Sequence, residues 1–398
     1  MHVSPSEKTA SSYAWVVLFV VFLLSMAAPL NQFKVPPVLP LLIESFELSL
    51  GGGGLLMSVF AITGFFLALP AGYILQRLGL KTSGLVSAAC LLFGSLLGTY
   101  SNASSTLLFS RLVEGLGMGL VSVTAPAAIA AWFPAHKRGT PMAIWAAWVP
   151  AGSLAMFLLA PPLADRGGWQ AVWWLGTIFT AFAFLIYALF MRRPEEQHDR
   201  SPEQPVPENV SIGRALRNPQ IWLLGAVFGC FTYTMLAVGT FYPTFLVEQR
   251  DYTVGNAAAV LSLNNLAVLL AAPAFGWLSD RAGARKPFFT FPFLALFLIV
   301  PLSFQIFDPL ILPAVVVMGC ITSAIPAVIF SATPEVVKNP LFVGMGMAVL
   351  TMGQNLGVVV GPALFGLLAE QISWTAASLS LLPVFLLGFI LAWRVRVR

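Results

Sequence analysis

Apolar segments long enough to cross a lipid bilayer recur along the whole chain, with short polar stretches between them. A spanning helix needs about 20 residues. Lipid offers no partner for a bare N–H or C=O, so only helices and closed barrels can span it. These runs lack the period-two alternation of barrel strands, and each reads as a helix. Twelve spans result, over residues 14–37, 52–75, 83–101, 105–131, 139–164, 169–191, 219–246, 254–279, 288–306, 309–332, 341–369 and 372–394. Charged residues make up only 9% of the chain, against about 25% in soluble domains. So few charges cannot cover a water-facing surface of this length, which excludes a soluble enzyme. The first span runs into NQFKVPP (31–37) without a small-residue cleavage site, and reads as a retained helix rather than a signal peptide.

The expected fold class is an all-α polytopic membrane protein. An even span count puts both termini on one side, and the basic residues choose that side. With the termini and the even-numbered loops in the cytoplasm, 17 of the 21 Lys and Arg lie there and only Arg166 and Arg250 lie outside. Positive charge concentrates on the cytoplasmic side of membrane proteins. The expectation is a multi-pass protein of the plasma membrane, or of the inner membrane if the source is bacterial, with both termini cytoplasmic. The formal net charge of +5 is then explained by topology and anionic lipid, without a nucleic-acid partner.

One long polar stretch interrupts the pattern: RRPEEQHDRSPEQPVPENVSIGRALRN, residues 192–218. Its Pro, Glu and Arg content marks a linker. It divides the chain into residues 1–191 and 219–398, with six spans each. The two parts resemble each other. GYILQRLGLK (72–81) matches GWLSDRAGARK (276–286) at an offset of 204, and TPMAIWAAWVPAG (140–152) matches VGMGMAVLTMGQNLG (343–357) at 205. Two stretches at nearly one offset indicate an internal duplication, and parallel six-helix repeats are a transporter architecture.

On these residues the chain resembles the major facilitator superfamily. GWLSDRAGARK carries the family's loop pattern of Gly, three residues, Asp, Arg, one residue, Gly, one residue and basic residues; GYILQRLGLK is its first-half counterpart. RLVEGLGMG (111–119) in span 4 and GVVVGPALFG (357–366) in span 11 add a helix arginine with spaced glycines and a glycine–proline run. The resemblance implies two pseudo-symmetric six-helix bundles working by alternating access. It implies that Asp280, beside Arg281, meets the N-terminus of a helix of the opposite half, near Arg138 and Gly139, and holds the cytoplasmic side closed. A carboxylate suits a helix N-terminus. Gln76, beside Arg77, stands where the family has Asp, so the two latches should differ in strength. Topology alone would also account for the basic residues in these loops, though not for Asp280.

Three ionisable residues fall inside spans: Lys34, Arg111 and Glu114. An intramembrane charge costs at least ~2.5–3.5 kcal/mol and is a functional candidate by default. Lys34 either snorkels to the outer interface or faces a central cavity, with Asn31 and Gln32 extending a polar face. Anion carriers of the superfamily often place a basic residue at this part of the first helix. Arg111 and Glu114, spaced i,i+3, can pair. They form either a neutralised structural pair or a proton site: burial favours the protonated carboxyl of Glu114, and the arginine favours its ionised form. Tyr233, Asn264, Asn265, Gln354 and Asn355 serve either as interhelical glue or as cavity lining. Gly115, Gly117, Gly119, Gly353, Gly357 and Gly361 permit close helix approach. The tetraglycine at residues 51–54 reads only as a frayed helix start.

Cys90, Cys230 and Cys320 all lie in spans at no metal-ligand spacing and read as buried hydrophobes. Enzyme and nucleotide-binding motifs are absent, so no cofactor is expected and the energy source is an ion or solute gradient. The resulting expectation is a monomeric secondary transporter for a small anion, such as a monocarboxylate or cyanate, coupled to a proton or a counter-substrate. Lys34, Asn31, Gln32, Arg111 and the span amides would bind the anion. The alternatives are efflux of hydrophobic or cationic compounds, and a non-transporting receptor of the same fold.

Overall fold

A computed structural model describes residues 12–67, 70–134, 138–192, 217–305, 308–337 and 343–397. The expected linker falls mostly outside them. Among the described residues the chain is helical, with one 3-10 turn and no strand. In order the helices are α1 (Ser12–Gln32), α2 (Leu39–Phe46), α3 (Leu50–Leu67), α4 (Pro70–Thr99), α5 (Ser104–Trp132), α6 (Gly139–Ala146) and α7 (Trp148–Phe190). They continue with α8 (Pro219–Arg250), α9 (Val254–Ala282), α10 (Lys286–Ser303), α11 (Asp308–Val337), α12 (Val343–Gln371), α13 (Trp374–Leu379) and α14 (Leu381–Arg394).

These helices make the twelve expected spans. Among the described residues eleven stretches are long and apolar enough to cross a membrane, and one of them, Thr140–Phe190, has 51 residues. A straight helix of that length would reach about 75 Å, more than twice a bilayer's core. It folds back where Gly168 adopts φ 63°, so it supplies two spans. The loop motif places a positive-φ glycine in both halves, though the turns differ, with ψ 168° at Gly79 and 18° at Gly283. Gly79 (φ 76°) and Gly283 (φ 60°) hold the same motif position and are both left-handed, a conformation cheap only for glycine.

The first span breaks where its prolines require. α1 ends at Gln32, and Pro36–Val38 forms the 3-10 turn before α2. Pro36 has no N–H to offer the carbonyl of Gln32, four residues back, so the helix cannot continue through it. Carbonyls of the last turn are left to find other donors. Lys34 sits inside this break.

The spans form two bundles, α1–α7 and α8–α14, which meet along two seams: α3 against α12, and α7 against α9. The duplication offset carries the span of α3 onto that of α9 and the span of α7 onto that of α12, so each seam is the image of the other. The expected close approaches are present. A side chain at Gly353 would strike the carbonyl of Gly225, one at Gly361 would strike that of Tyr233, and one at Gly115 would strike that of Phe60. The tetraglycine is not a frayed end. A Cβ at Gly54 would meet the carbonyl oxygen of Pro362, and the N–H of Gly51 donates to Glu370 Oε2 at 3.0 Å. The missing side chains let the start of α3 rest on the backbone of the other bundle.

Candidate functional site

Two carbonyls released by the break in span 1, those of Asn31 and Gln32, accept hydrogen bonds from Arg111 at 2.8 and 3.0 Å. Arg111 Nε donates to the carbonyl of Leu56 at 3.2 Å, and the guanidinium lies over the Phe60 ring, 4.5 Å from its centroid. It also pairs with Glu114 one turn along α5. Four of its five N–H groups thus have protein acceptors.

The other oxygen of Glu114 lies 2.5 Å from Lys34 Nζ. Lys34 also donates to Asn31 Oδ1 and Ser95 Oγ, each at 3.0 Å, and sits 4.6 Å from the Trp173 ring centroid. Lys34, Arg111, Glu114 and Asn31 are each 0% exposed. Asn31 is held in turn: its Nδ2 donates to the Ala27 carbonyl and to Thr180 Oγ1, at 2.9 and 2.8 Å. Gly176 on α7 leaves room for it, since a Cβ there would meet Asn31 Oδ1.

This arrangement corrects the expectation for Lys34. It neither snorkels nor faces a cavity, and all three of its N–H groups are used inside the first bundle. The physical reason is Glu114, 80 residues away in sequence, which offers a carboxylate that neither expected position supplied. A buried ion is tolerable only when paired and hydrogen-bonded. Asn31 and Arg111 are likewise committed to protein partners, and Gln32 is 7% exposed with its carbonyl on Arg111. Sequence reasoning missed Ser95, Trp173 and Phe60. Ser95 carried a faint signal, as a lone hydroxyl between Gly94 and Gly98 in an apolar run.

The expected amides separate into two groups. Asn264 is glue within the second bundle, donating to the Val315 carbonyl at 3.0 Å. Asn265 accepts from Ser153 of α7 at 3.3 Å, across one seam. Asn355 faces Gly64 across the other, within 3.5 Å of where that glycine's Cβ would stand. Tyr233, Gln354 and Asn355 are half-buried along the neighbouring helices α8 and α12. The backbone joins them there, with the Thr232 hydroxyl donating to the Gln354 carbonyl at 2.9 Å.

Among the described residues, the expected contact of Asp280 with the opposite half is not made. Asp280 pairs with Arg285 at 3.2 Å, and Arg285 also binds Glu335, all within the second bundle. Arg138 turns to the end of α5, donating to the carbonyls of Phe133 and Ala130 at 2.9 and 2.6 Å. Arg281 and Arg77 lie over their own helix's Trp277 and Tyr73 rings, and the side chain of Gln76 is outside the described residues. The physical reason lies in where the halves meet. The contacts made by Gly51, Gly54 and Gly366 join the bundles at the end opposite these loops.

The sequence family described as Major Facilitator Superfamily matches residues 18–341 and again 256–398. The chain belongs to that superfamily. The double match over 256–341 agrees with the internal repeat. Within the superfamily, the multidrug resistance protein MdtG of Enterobacter lignolyticus (strain SCF1) is 28% identical over 68% of this chain; the match spans 66% of that protein, just under two thirds. The probable sulfoacetate transporter SauU of Cupriavidus necator is 23% identical over 89% of this chain and 87% of its own length. The crystal structure of a bacterial homolog to the human lysosomal transporter Spinster, in an inward-facing and occupied conformation, superposes with a TM-score of 0.79. It covers 97% of both chains at 14% identity, a likeness of fold. Membership places this chain in a family of membrane-embedded transporters, which are not enzymes.

Proposed function

We propose that this chain is a proton-coupled secondary transporter that exports an uncharged or lipophilic small molecule by alternating access. The carrying observation is the use of Lys34 and Arg111. All three donors of Lys34 and four of the five of Arg111 go to protein acceptors, and both side chains are 0% exposed, so neither cation is presented to an anion. Midway along the α3–α12 seam, away from Glu370 at its end, the half-buried polar groups Tyr233, Gln354 and Asn355 are uncharged. They suit a solute recognised by a few hydrogen bonds and much apolar contact. Similarity to a multidrug resistance protein supports this reading. The small-anion reading keeps one support, since two cations against one carboxylate leave an excess positive charge, and a relative carries the sulfoacetate name.

In this proposal the moving units are residues 1–191 and 219–398, joined by 192–218. One chain contains both bundles and acts as a monomer. The basic residues support cytoplasmic termini, which puts the Gly51–Glu370 contact at the outer end and the free end toward the cytoplasm. Gly353, Gly357 and Gly361 give α12 a smooth track on α8.

The test is expression in cells stripped of their own efflux pumps. Accumulation of a lipophilic dye should fall relative to vector-only cells, while uptake of labelled sulfoacetate stays at background. Sulfoacetate uptake without dye export would overturn the export reading and restore the anion one.

A further inference from the structure

We infer that the coupling proton is carried by Lys34 and not by Glu114. The inference deepens the reading of the chain as a proton-coupled transporter and rests on it. Among the described residues, the charged groups facing Lys34 are Glu114 and Arg111, both on α5. Asn31 of α1, Ser95 of α4 and Trp173 of α7 complete its surroundings and are neutral. Two cations and one carboxylate sum to one positive charge. Protonating Glu114 would raise that sum to two, placing adjacent cations in a sealed core with no anion. Deprotonating Lys34 lowers it to zero and leaves the neutral pair Arg111–Glu114. Uncompensated buried charge is among the costliest arrangements in a protein. Only the second change removes it.

The coordination of Nζ fits both forms of the lysine. An ammonium needs three acceptors, and it has Glu114 Oε1, Asn31 Oδ1 and Ser95 Oγ. A neutral amine needs two acceptors and one donor. Glu114 is an acceptor throughout. Asn31 is fixed as one, because its amide nitrogen is held by Ala27 and Thr180. Ser95 can do either: its hydroxyl now makes a long bond, 3.3 Å, to the Trp173 carbonyl, and a rotation would aim it at Nζ, 3.0 Å away. The step is a proton transfer alone. One N–H bond of the ammonium breaks, its electron pair stays on Nζ, and the proton passes to water that reaches the triad when the bundles rock.

The chain has six lysines, few enough to resolve. In the full-length protein labelled with 15N-lysine, one side-chain signal, absent from Lys34→Met, should change from ammonium to amine across the pH range of the transport assay while the others remain ammonium. In proteoliposomes, ethidium movement by the wild type should respond to an imposed pH gradient, and Lys34→Arg should lose that response. Arginine keeps the buried positive charge but does not release its proton, so a merely structural role would tolerate it. A Lys34 signal that remains ammonium throughout, or gradient-driven flux in Lys34→Arg, would overturn the assignment. Failure of the parent reading looks different: wild-type flux would ignore the gradient, whatever the lysine signal does.

Discussion

The two bundles descend from one repeat and solve the same packing problem with opposite chemistry. The first closes its core around ions, with Lys34, Glu114 and Arg111 tying α1 to α5. The second closes around rings. Phe241, Tyr242, Phe245, Phe304, Phe365 and Trp374 pack on one another, mostly tilted or edge to face, with centroids 4.8–6.4 Å apart. Adding the offset of 205 to 111 and 114 gives 316 and 319, which are Val316 and Gly319. Gly319 packs on Asn264, and an amide-to-carbonyl bond, Asn264 to Val315, stands where the first bundle has its arginine contacts. A core of rings is insensitive to protons. A core of ions is not, so under the proposed proton coupling the first bundle would sense the gradient and the second give mechanical support.

The largest effect should come from making the first core's charge imbalance worse. Glu114→Gln leaves two buried cations without a counter-charge, and breaking a buried pair costs about 3–5 kcal/mol. We expect loss of monodisperse protein in detergent chromatography. Combining it with Lys34→Met returns the sum to one positive charge and should recover folded protein. Recovery failing would mean that hydrogen bonds of Glu114, and not its charge, hold the bundle.

The second core should respond to shape instead. Phe365 is fully buried, so Phe365→Ala should lose about 3–5 kcal/mol, a drop in apparent Tm readable by thermal unfolding. Phe365→Leu should cost under about 1.5 kcal/mol. The contrast is between kinds of conservative change: Glu→Gln keeps shape but not charge and fails, whereas Phe→Leu keeps apolar character and most of the volume and survives. Equal tolerance in both bundles would abolish the distinction.

Span number and the two-bundle division were legible because lipid imposes a length on each helix and glycine a conformation on each loop. Gly79 and Gly283 turn where their motif placed them. The site was half legible. Lys34, Arg111 and Glu114 stand out because charge is rare in spans, and the i,i+3 pair follows from helix geometry. The Lys34–Glu114 pair does not follow, because it needs the crossing of α1 on α5, which is set by Gly176, Asn31 and the break at Pro36. Asp280 shows another limit. Its motif implies a contact with the opposite half, whereas here Asp280 pairs with Arg285 and the halves touch at the other end.

That other end allows the smallest and most discriminating test. Gly51 and its repeat mate, 51 + 204 = 255, Gly255, begin equivalent spans, yet only one is latched. The Gly51 N–H binds Glu370 of the opposite bundle at 3.0 Å. A methyl group at Gly255 would make only ordinary van der Waals contact, 3.8 Å from Pro161 across the seam. A carboxylate at an exposed helix N-terminus is worth about 0.3–1 kcal/mol, which corresponds to roughly a 2- to 5-fold shift between closed and open populations. Glu370→Gln should therefore speed labelling of a cysteine placed at Asn355, from the side bearing Gly51, by about that factor. Gly255→Ala should leave the rate unchanged. If Glu370→Gln is also silent, the closure rests on the backbone seat of Gly54 against Pro362, and the asymmetry lies in the missing side chains and not in the charge.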